Sequence, residues 1–264
     1  MNVPAAPTIR ALRDEPRTGL LAFIVMVAGM VATPLFERGG DERRLLALVV
    51  VAALFVTAVA ASVGTHGARS LAAAGAIVVV TFLVEVLGSR TGFPFGEYDY
   101  TGVLTPQLFG VPVVVSFAWA GITLTVHGAL RNVGNGPPRR AAIVRIVTMA
   151  LAITAWDVFL DPQMVGEGYW RWQTVSPSFR GIPFVNYLGW TLTAGVTATL
   201  AVVVCGPVRR RASSLPRITY ATLAVFSTLG FLLFFDDAVV ALVGGLAMGC
   251  FVVVSLRRPG SDPA

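Results

Sequence analysis

Three carboxylates lie where a hydrophobic chain can least accommodate them. Glu85 sits in LVEVLG (83–88), Asp157 in AWDVFL (155–160), and Asp161 four residues further on. Each falls near the end of a strongly apolar stretch. An ionised carboxylate at the centre of a membrane span is opposed by roughly 2.5–3.5 kcal/mol, and by much less near an interface. Asp157 and Asp161 share one helical face, because residues four apart stack one above the other. Two acids so placed in a poorly solvated site do not both ionise readily, so one of them holds a proton at neutral pH. A carboxylic acid facing an apolar pocket is what protonation of a carbon–carbon double bond requires. A structural assignment competes with this one. Asp-Pro is a turn signal, so Asp161 could open a loop, with Asp157 and Glu85 paired to Arg90, Arg171 or Arg180.

Aromatic side chains gather around the same acids. All five Trp (Trp119, Trp156, Trp170, Trp172 and Trp190) and several Tyr fall towards one face of the membrane. An interfacial belt would decorate both faces, yet on the opposite face only Tyr220 is expected and no Trp. The asymmetry favours a site. Desolvated ring faces stabilise a cation by about 2 kcal/mol or more each, so a protonated acid among aromatic faces suits carbocation chemistry. Protonating a trisubstituted alkene gives a tertiary cation, which then loses a proton, cyclises or captures water. The sequence has no nucleotide-binding loop, Ser/His/Asp arrangement, His/Cys metal cluster or repeated acidic diphosphate motif, and no metal site is expected. His66, in a predicted cytoplasmic loop, and His127 read as structural. Cys205 and Cys250 read as apolar packing.

The elements that must position these groups are membrane helices. The 264-residue chain is 55% hydrophobic with only 13% charged residues, against roughly 25% charged in soluble domains. Apolar stretches long enough to span a bilayer occur at about 19–36, 45–63, 70–87, 111–130, 142–160, 182–204, 218–235 and 238–256. The expected fold is an all-α polytopic transmembrane helix bundle forming one integral membrane domain over 1–264. It has eight spans, or seven if the tight FFDD turn (234–237) does not cross. The first span is too long for a signal-peptide core and reads as retained.

The net charge of +6 comes from 20 Arg and no Lys, clustered in short loops. That pattern sets orientation rather than nucleic-acid binding. With eight spans, 14 Arg (10, 13, 17, 69, 131, 139, 140, 145, 209, 210, 211, 217, 257 and 258) share the side of the termini and 6 (38, 43, 44, 90, 171 and 180) lie opposite. Both termini are therefore expected in the cytoplasm. Absence of Lys fits a GC-rich genome, and the basic balance argues against a salt-loving archaeon with acidic surfaces, so a bacterial cell membrane is expected.

A parallel repeat is legible at about 70–130 and 142–204. GVPVVVSFAW (110–119) and GIPFVNYLGW (181–190) share Gly-[Val/Ile]-Pro-x-Val-x4-Trp, and Pro112 and Pro183 read as first-turn helix starters. Glu85 lies 25 residues before Gly110, and Asp157 lies 24 before Gly181. Between acid and Gly-x-Pro each copy carries a polar, aromatic loop, FGEYDY (95–100) and GEGYWRW (166–172). Helix, loop and helix thus occur twice, entered from the same side.

Taken in order, GFPFGEYDYT (92–101), GVPVVVSFAW, WDVFLDPQM (156–164), the Tyr-Trp-x-Trp loop and GIPFVNYLGW resemble the carotenoid biosynthesis membrane proteins. That family includes hydratases of acyclic carotenoid end groups, of the CruF and bisanhydrobacterioruberin hydratase types. The resemblance covers about 80–190, while the first two and last two spans read as generic. It implies cofactor-independent addition of water to a terminal isopropylidene double bond, giving a tertiary alcohol. The substrate would be a hydrophobic carotenoid drawn from the bilayer, with membrane lipid and other carotenoid-pathway enzymes as partners. The residue roles are read from the sequence itself. Asp157 or Asp161 would donate the proton, and Glu85 would activate water. Tyr98, Tyr100, Trp119, Trp156 and Trp190 would line the end-group pocket, with Tyr187, Trp170 and Trp172 beside them. Asn186 would hydrogen-bond the water or the new hydroxyl. Glu97 and Asp99, being wetter, would admit water, and Arg90 and Arg171 would be loop counter-ions. Two alternatives share the residues: an end-group cyclase or isomerase using the same cation, and a non-enzymatic lipid or carotenoid transporter or binding protein.

Overall fold

The computed structural model describes residues 15–134, 137–173 and 177–256. Of the arginines used to orient the chain, Arg10, Arg13, Arg257 and Arg258 lie outside these residues. Eight α-helices follow one another: α1 (Arg17–Ala32, continued by a 3₁₀ turn at Thr33–Leu35), α2 (Asp41–His66), α3 (Arg69–Thr91), α4 (Val113–Ala129), α5 (Pro138–Gly166), α6 (Phe184–Cys205), α7 (Leu215–Leu233) and α8 (Ala238–Ser255). Seven are long and apolar enough to cross a bilayer, and the chain is a multi-pass membrane protein.

The helix that falls short is not one of the last pair, since α7 and α8 both reach spanning length on either side of the FFDD turn. It is α4, with 17 residues. Val111 and Pro112, expected to begin that span, belong to a strand instead. This short helix sits in the middle of the bundle, packed against α2, α3, α6 and α7, and most of its side chains are buried. A helix screened by its neighbours need not match the thickness of the hydrocarbon layer.

The two copies of the repeat are α3 with α4 and α5 with α6. In each, a strand and a hairpin join the helices: β1 (Tyr98–Tyr100), β2 (Gln107–Leu108) and β3 (Val111–Pro112) in the first, and β4 (Trp170–Trp172), β5 (Ser178–Phe179) and β6 (Ile182–Pro183) in the second. Strands β2 and β3 pair antiparallel, as do β5 and β6. Both hairpins turn on two left-handed residues: Phe109 (φ 53°) and Gly110 (φ 85°), then Arg180 (φ 51°) and Gly181 (φ 81°). Two successive positive φ values are what a two-residue hairpin needs to match strand twist. Pro112 and Pro183 end their strands in extended conformation, one residue before the helices begin. The first-turn placement read from sequence is therefore off by one residue.

Strands β1 and β4, one from each copy, pair with each other in the register Tyr98↔Trp172, Asp99↔Arg171 and Tyr100↔Trp170. Matching residues thus meet about the central Asp99–Arg171 pair. Trp119 and Trp190, equivalent in the repeat, stack with ring centroids 4.0 Å apart and 23° between planes. Both pairings are those of two copies related by a two-fold axis.

The other end of the bundle has its own polar contacts. His66 is not in a loop but ends α2, buried and 5.1 Å from the His127 ring. Cys205 is buried, whereas Cys250 is exposed on the outer surface of α8.

Near the site, Asp237 caps α8 by accepting from the amides of Val239 and Val240, both at 3.1 Å. It also accepts from Arg180 Nε at 2.7 Å and Nη2 at 2.5 Å. The Arg180 hydrogen bonds hold its carboxyl below the usual range. Because the folded value is the lower one, the stabilisation is present at neutral pH and disappears as pH falls through that value. Asp237→Ala is expected to lower stability by about 1 kcal/mol at neutral pH. Thermal unfolding in detergent should show the wild-type advantage shrinking in acid.

Candidate active site

Glu85 lies near the end of α3, 5% exposed, and collects three donors. Its Oε2 accepts from the Tyr98 hydroxyl at 2.7 Å and the Tyr100 hydroxyl at 2.8 Å, and its Oε1 accepts from Trp119 Nε1 at 2.9 Å. Tyr98 comes within reach because Gly88, one turn after Glu85, leaves the space. A Cβ there would stand 2.9 Å from Phe95 and 3.1 Å from the Tyr98 hydroxyl. Burial, and the Glu85 carboxyl beside them, push both phenols well above their ordinary value. They therefore keep their protons and stay donors across the neutral and alkaline range.

On the opposite side, Asp157 and Asp161 occupy successive turns of α5, 0% and 2% exposed. The helix runs through Pro162 to Gly166, so Asp161 does not open a loop. Pro162 has no amide to offer the Val158 carbonyl, and the surrounding packing carries the helix past it. Asn186, from α6, donates through Nδ2 to both acids, to Asp157 Oδ2 at 3.0 Å and to Asp161 Oδ2. Trp170 Nε1 donates to Asp161 Oδ1 at 2.7 Å, whereas Asp157 Oδ1 has no partner among the described residues.

The competing assignment, which paired these acids with Arg90, Arg171 or Arg180, is not found among the described residues. Arg180 binds Asp237, Arg90 lies 5.9 Å from the Phe109 ring, and Arg171 stands opposite Asp99 in the strand register. Glu97 and Asp99 are exposed, as read from sequence. Among the described residues no His, Cys, Asp and Glu side chains assemble as a metal-ligand group.

Glu85 and Asp161 both face a cavity of about 30 Å³. Tyr98, Tyr100, Trp119, Trp170, Trp172, Trp190 and Asn186 share its wall. Trp156 stands behind, edge-on to Trp190 at 6.2 Å. Neither Asp157 nor Tyr187 reaches the cavity wall, and the Tyr187 hydroxyl has no partner among the described residues. Nine of the twelve residues chosen from sequence therefore line this cavity, with Trp156 and Asp157 each one contact behind it. Reading by sequence missed Phe95, Val115, Ala118 and Leu160, which complete the wall. Of these only Phe95 carried a signal, its place in the aromatic loop; the others are ordinary apolar positions.

A cavity this small has room for about one water. It sits between a carboxyl that receives three hydrogen bonds and a carboxyl pair that shares one amide.

A family model described as carotenoid biosynthesis protein matches residues 21–254. The chain belongs to the carotenoid biosynthesis protein family. The family match takes in most of the outer helices that read as generic, well beyond 80–190. A bisanhydrobacterioruberin hydratase of Haloarcula japonica is 33% identical over 129 residues, 47% of this chain and 42% of that protein. The chain thus matches less than half the length of this relative. No solved structure matches.

Proposed function

We propose that this family member adds water to the terminal isopropylidene double bond of an acyclic carotenoid, giving a tertiary alcohol without a cofactor. The observation that carries the reading is the contrast between two carboxyl environments on one aromatic cavity. Glu85 accepts from three neutral donors, surroundings that favour a carboxylate. Asp161 and Asp157 crowd around one amide with no cation beside them, the arrangement in which a pair of acids retains one proton. The similarity to a hydratase supports the same choice.

In the proposed reaction Asp161, facing the cavity, gives its proton to the less substituted alkene carbon. The π bond's electron pair forms the new C–H bond and leaves a tertiary cation. The stacked Trp119 and Trp190 faces and the Trp170 and Trp172 rings stabilise it. Water held by Glu85 attacks the cation as Glu85 takes one of its protons, and that proton returns to the aspartate pair before the next turnover. Asn186 keeps the two aspartates in one geometry, and Tyr98 and Tyr100 hold Glu85. In this reading, which the uneven distribution of arginine over the loops supports, the site lies at the outer face of the cell membrane with both termini in the cytoplasm, and the polyene remains in the bilayer.

Expression in lycopene-accumulating bacteria grown in heavy-oxygen water tests this. The expected product gains one water per reacted end and carries the label. An isomer of unchanged mass would replace hydration by cyclisation or isomerisation. No change in lycopene or in a prenyl-extended C50 carotenoid would overturn the enzymatic reading.

A further inference from the structure

A second cavity, about 350 Å³ in volume, lies among α1, α2, α4, α5 and α7. Its size falls in the range of small-molecule sites, about 300–1,000 Å³, whereas the carboxyl cavity alone is too small for an organic end group. The two adjoin: Val115, Ala118, Leu160 and Trp170 line both. The wall of the larger chamber is overwhelmingly apolar.

Its two ends differ. Toward the loops its wall includes Arg43, which forms a buried ion pair, Nε to Glu167 Oε1 at 2.7 Å, with side chains 5% and 3% exposed. Arg43 Nη1 also donates to the Phe36 carbonyl at 3.1 Å. The guanidinium groups of Arg38 and Arg43 lie 4.6 Å and 5.8 Å from the Phe235 ring. Toward the outside of the bundle, the lining residues Val31 of α1 and Leu229 and Leu233 of α7 are themselves exposed, at 56%, 45% and 67%. In a membrane helix bundle, such exposure is exposure to lipid tails. Exposed lining residues on α1 and α7 thus open the chamber towards the bilayer, while the buried Arg43–Glu167 pair stands at its loop end.

We infer that this chamber is the substrate channel. An unsubstituted polyene chain enters sideways from the bilayer between α1 and α7, lies along the chamber, and presents its terminal double bond to Asp161 and Glu85 past Val115, Ala118, Leu160 and Trp170. The inference rests on the proposed hydration and adds the route and the recognition. The mostly apolar walls select a hydrocarbon chain: Thr33, Arg43, Gln163, Tyr169 and Ser227 are the few polar side chains along them, so a polar substituent lying elsewhere in the chamber is disfavoured.

Gly230 makes the test possible. It lines the chamber, and a Cβ placed on it meets nothing within 4 Å, so a larger side chain there enters free space without displacing backbone. Gly230→Phe and, from the other side of the opening, Val31→Trp should plug the channel. Gly195→Phe also enters free space, on α6 and away from the chamber wall, and serves as control. Each protein is purified in detergent, loaded with lycopene and assayed for retained pigment by visible absorbance, then for conversion by mass.

Gly230→Phe and Val31→Trp are expected to lower both retention and conversion by about tenfold or more, with Gly195→Phe matching wild type. Wild-type retention and conversion in both plugged variants overturns the channel and leaves hydration standing. Wild-type protein that retains no pigment also overturns it. Pigment retained by wild type, lost on plugging and unchanged in mass establishes the channel and removes hydration.

Discussion

Asp161→Asn is expected to lower carotenoid hydration by about 10²- to 10⁴-fold, the usual contribution of a positioned general acid, with unchanged accumulation in the membrane. Asparagine matches the shape and keeps an oxygen for Trp170 Nε1, which now donates to Asp161 at 2.7 Å. What it loses is the transferable proton. Asp157→Asn should have the smaller effect, because Asp157 lies behind the cavity and acts on Asp161 through Asn186. The assay is conversion per unit of membrane-inserted protein. Full activity in Asp161→Asn with loss in Asp157→Asn would exchange the two roles.

Glu85→Gln should cause a loss of similar size, about 10²- to 10⁴-fold, by a different route. Glutamine cannot take a proton from water, and its amide presents a donor where Tyr98, Tyr100 and Trp119 now all donate. The cation still forms in this variant but is not captured, so it reverts by returning a proton to Asp161. In heavy water the recovered substrate should therefore gain deuterium at its terminal groups without gaining oxygen. Asp161→Asn should show neither. A Glu85→Gln protein that hydrates at the wild-type rate would remove Glu85 from water activation. Unlabelled substrate, with no product, would instead make Glu85 necessary for forming the cation.

The membrane architecture was legible because long apolar stretches have few other uses, and the repeat because Gly-x-Pro and Trp recur at one spacing. Even the contact between the two aromatic loops was half visible, since FGEYDY and GEGYWRW match each other and then pair as strands. Other features were hidden for specific reasons. Val111 and Pro112 are as apolar as a helix start, but the left-handed turn at Phe109 and Gly110 commits them to a hairpin. Asp161-Pro162 reads locally as a turn, and only packing from α6 and β4 shows that the helix continues. Helical spacing put Asp157 and Asp161 on one face without showing which of them meets the cavity. Arg43 and Glu167 looked like two loop charges; their burial against each other depends on α1, α2 and α7, a tertiary fact that neither local sequence contains.

The β1–β4 register has a consequence for how such a site can arise. Its pairings, Tyr98 with Trp172 and Tyr100 with Trp170 about Asp99 and Arg171, are those of an interface that complements itself, as does the Trp119–Trp190 stack. A half-length chain carrying one copy could meet an identical chain through the same contacts, as symmetric homodimers do. Such a dimer would present the same carboxyl twice. In one polypeptide the two positions need not be identical: Glu85 faces the cavity in the first half, whereas in the second its counterpart Asp157 stands behind and Asp161, one turn further on where the first half has Ser89, faces it. A reaction that needs a proton donor on one side and an acceptor on the other is inherently lopsided, and two identical halves about a two-fold axis cannot be lopsided in a fixed direction.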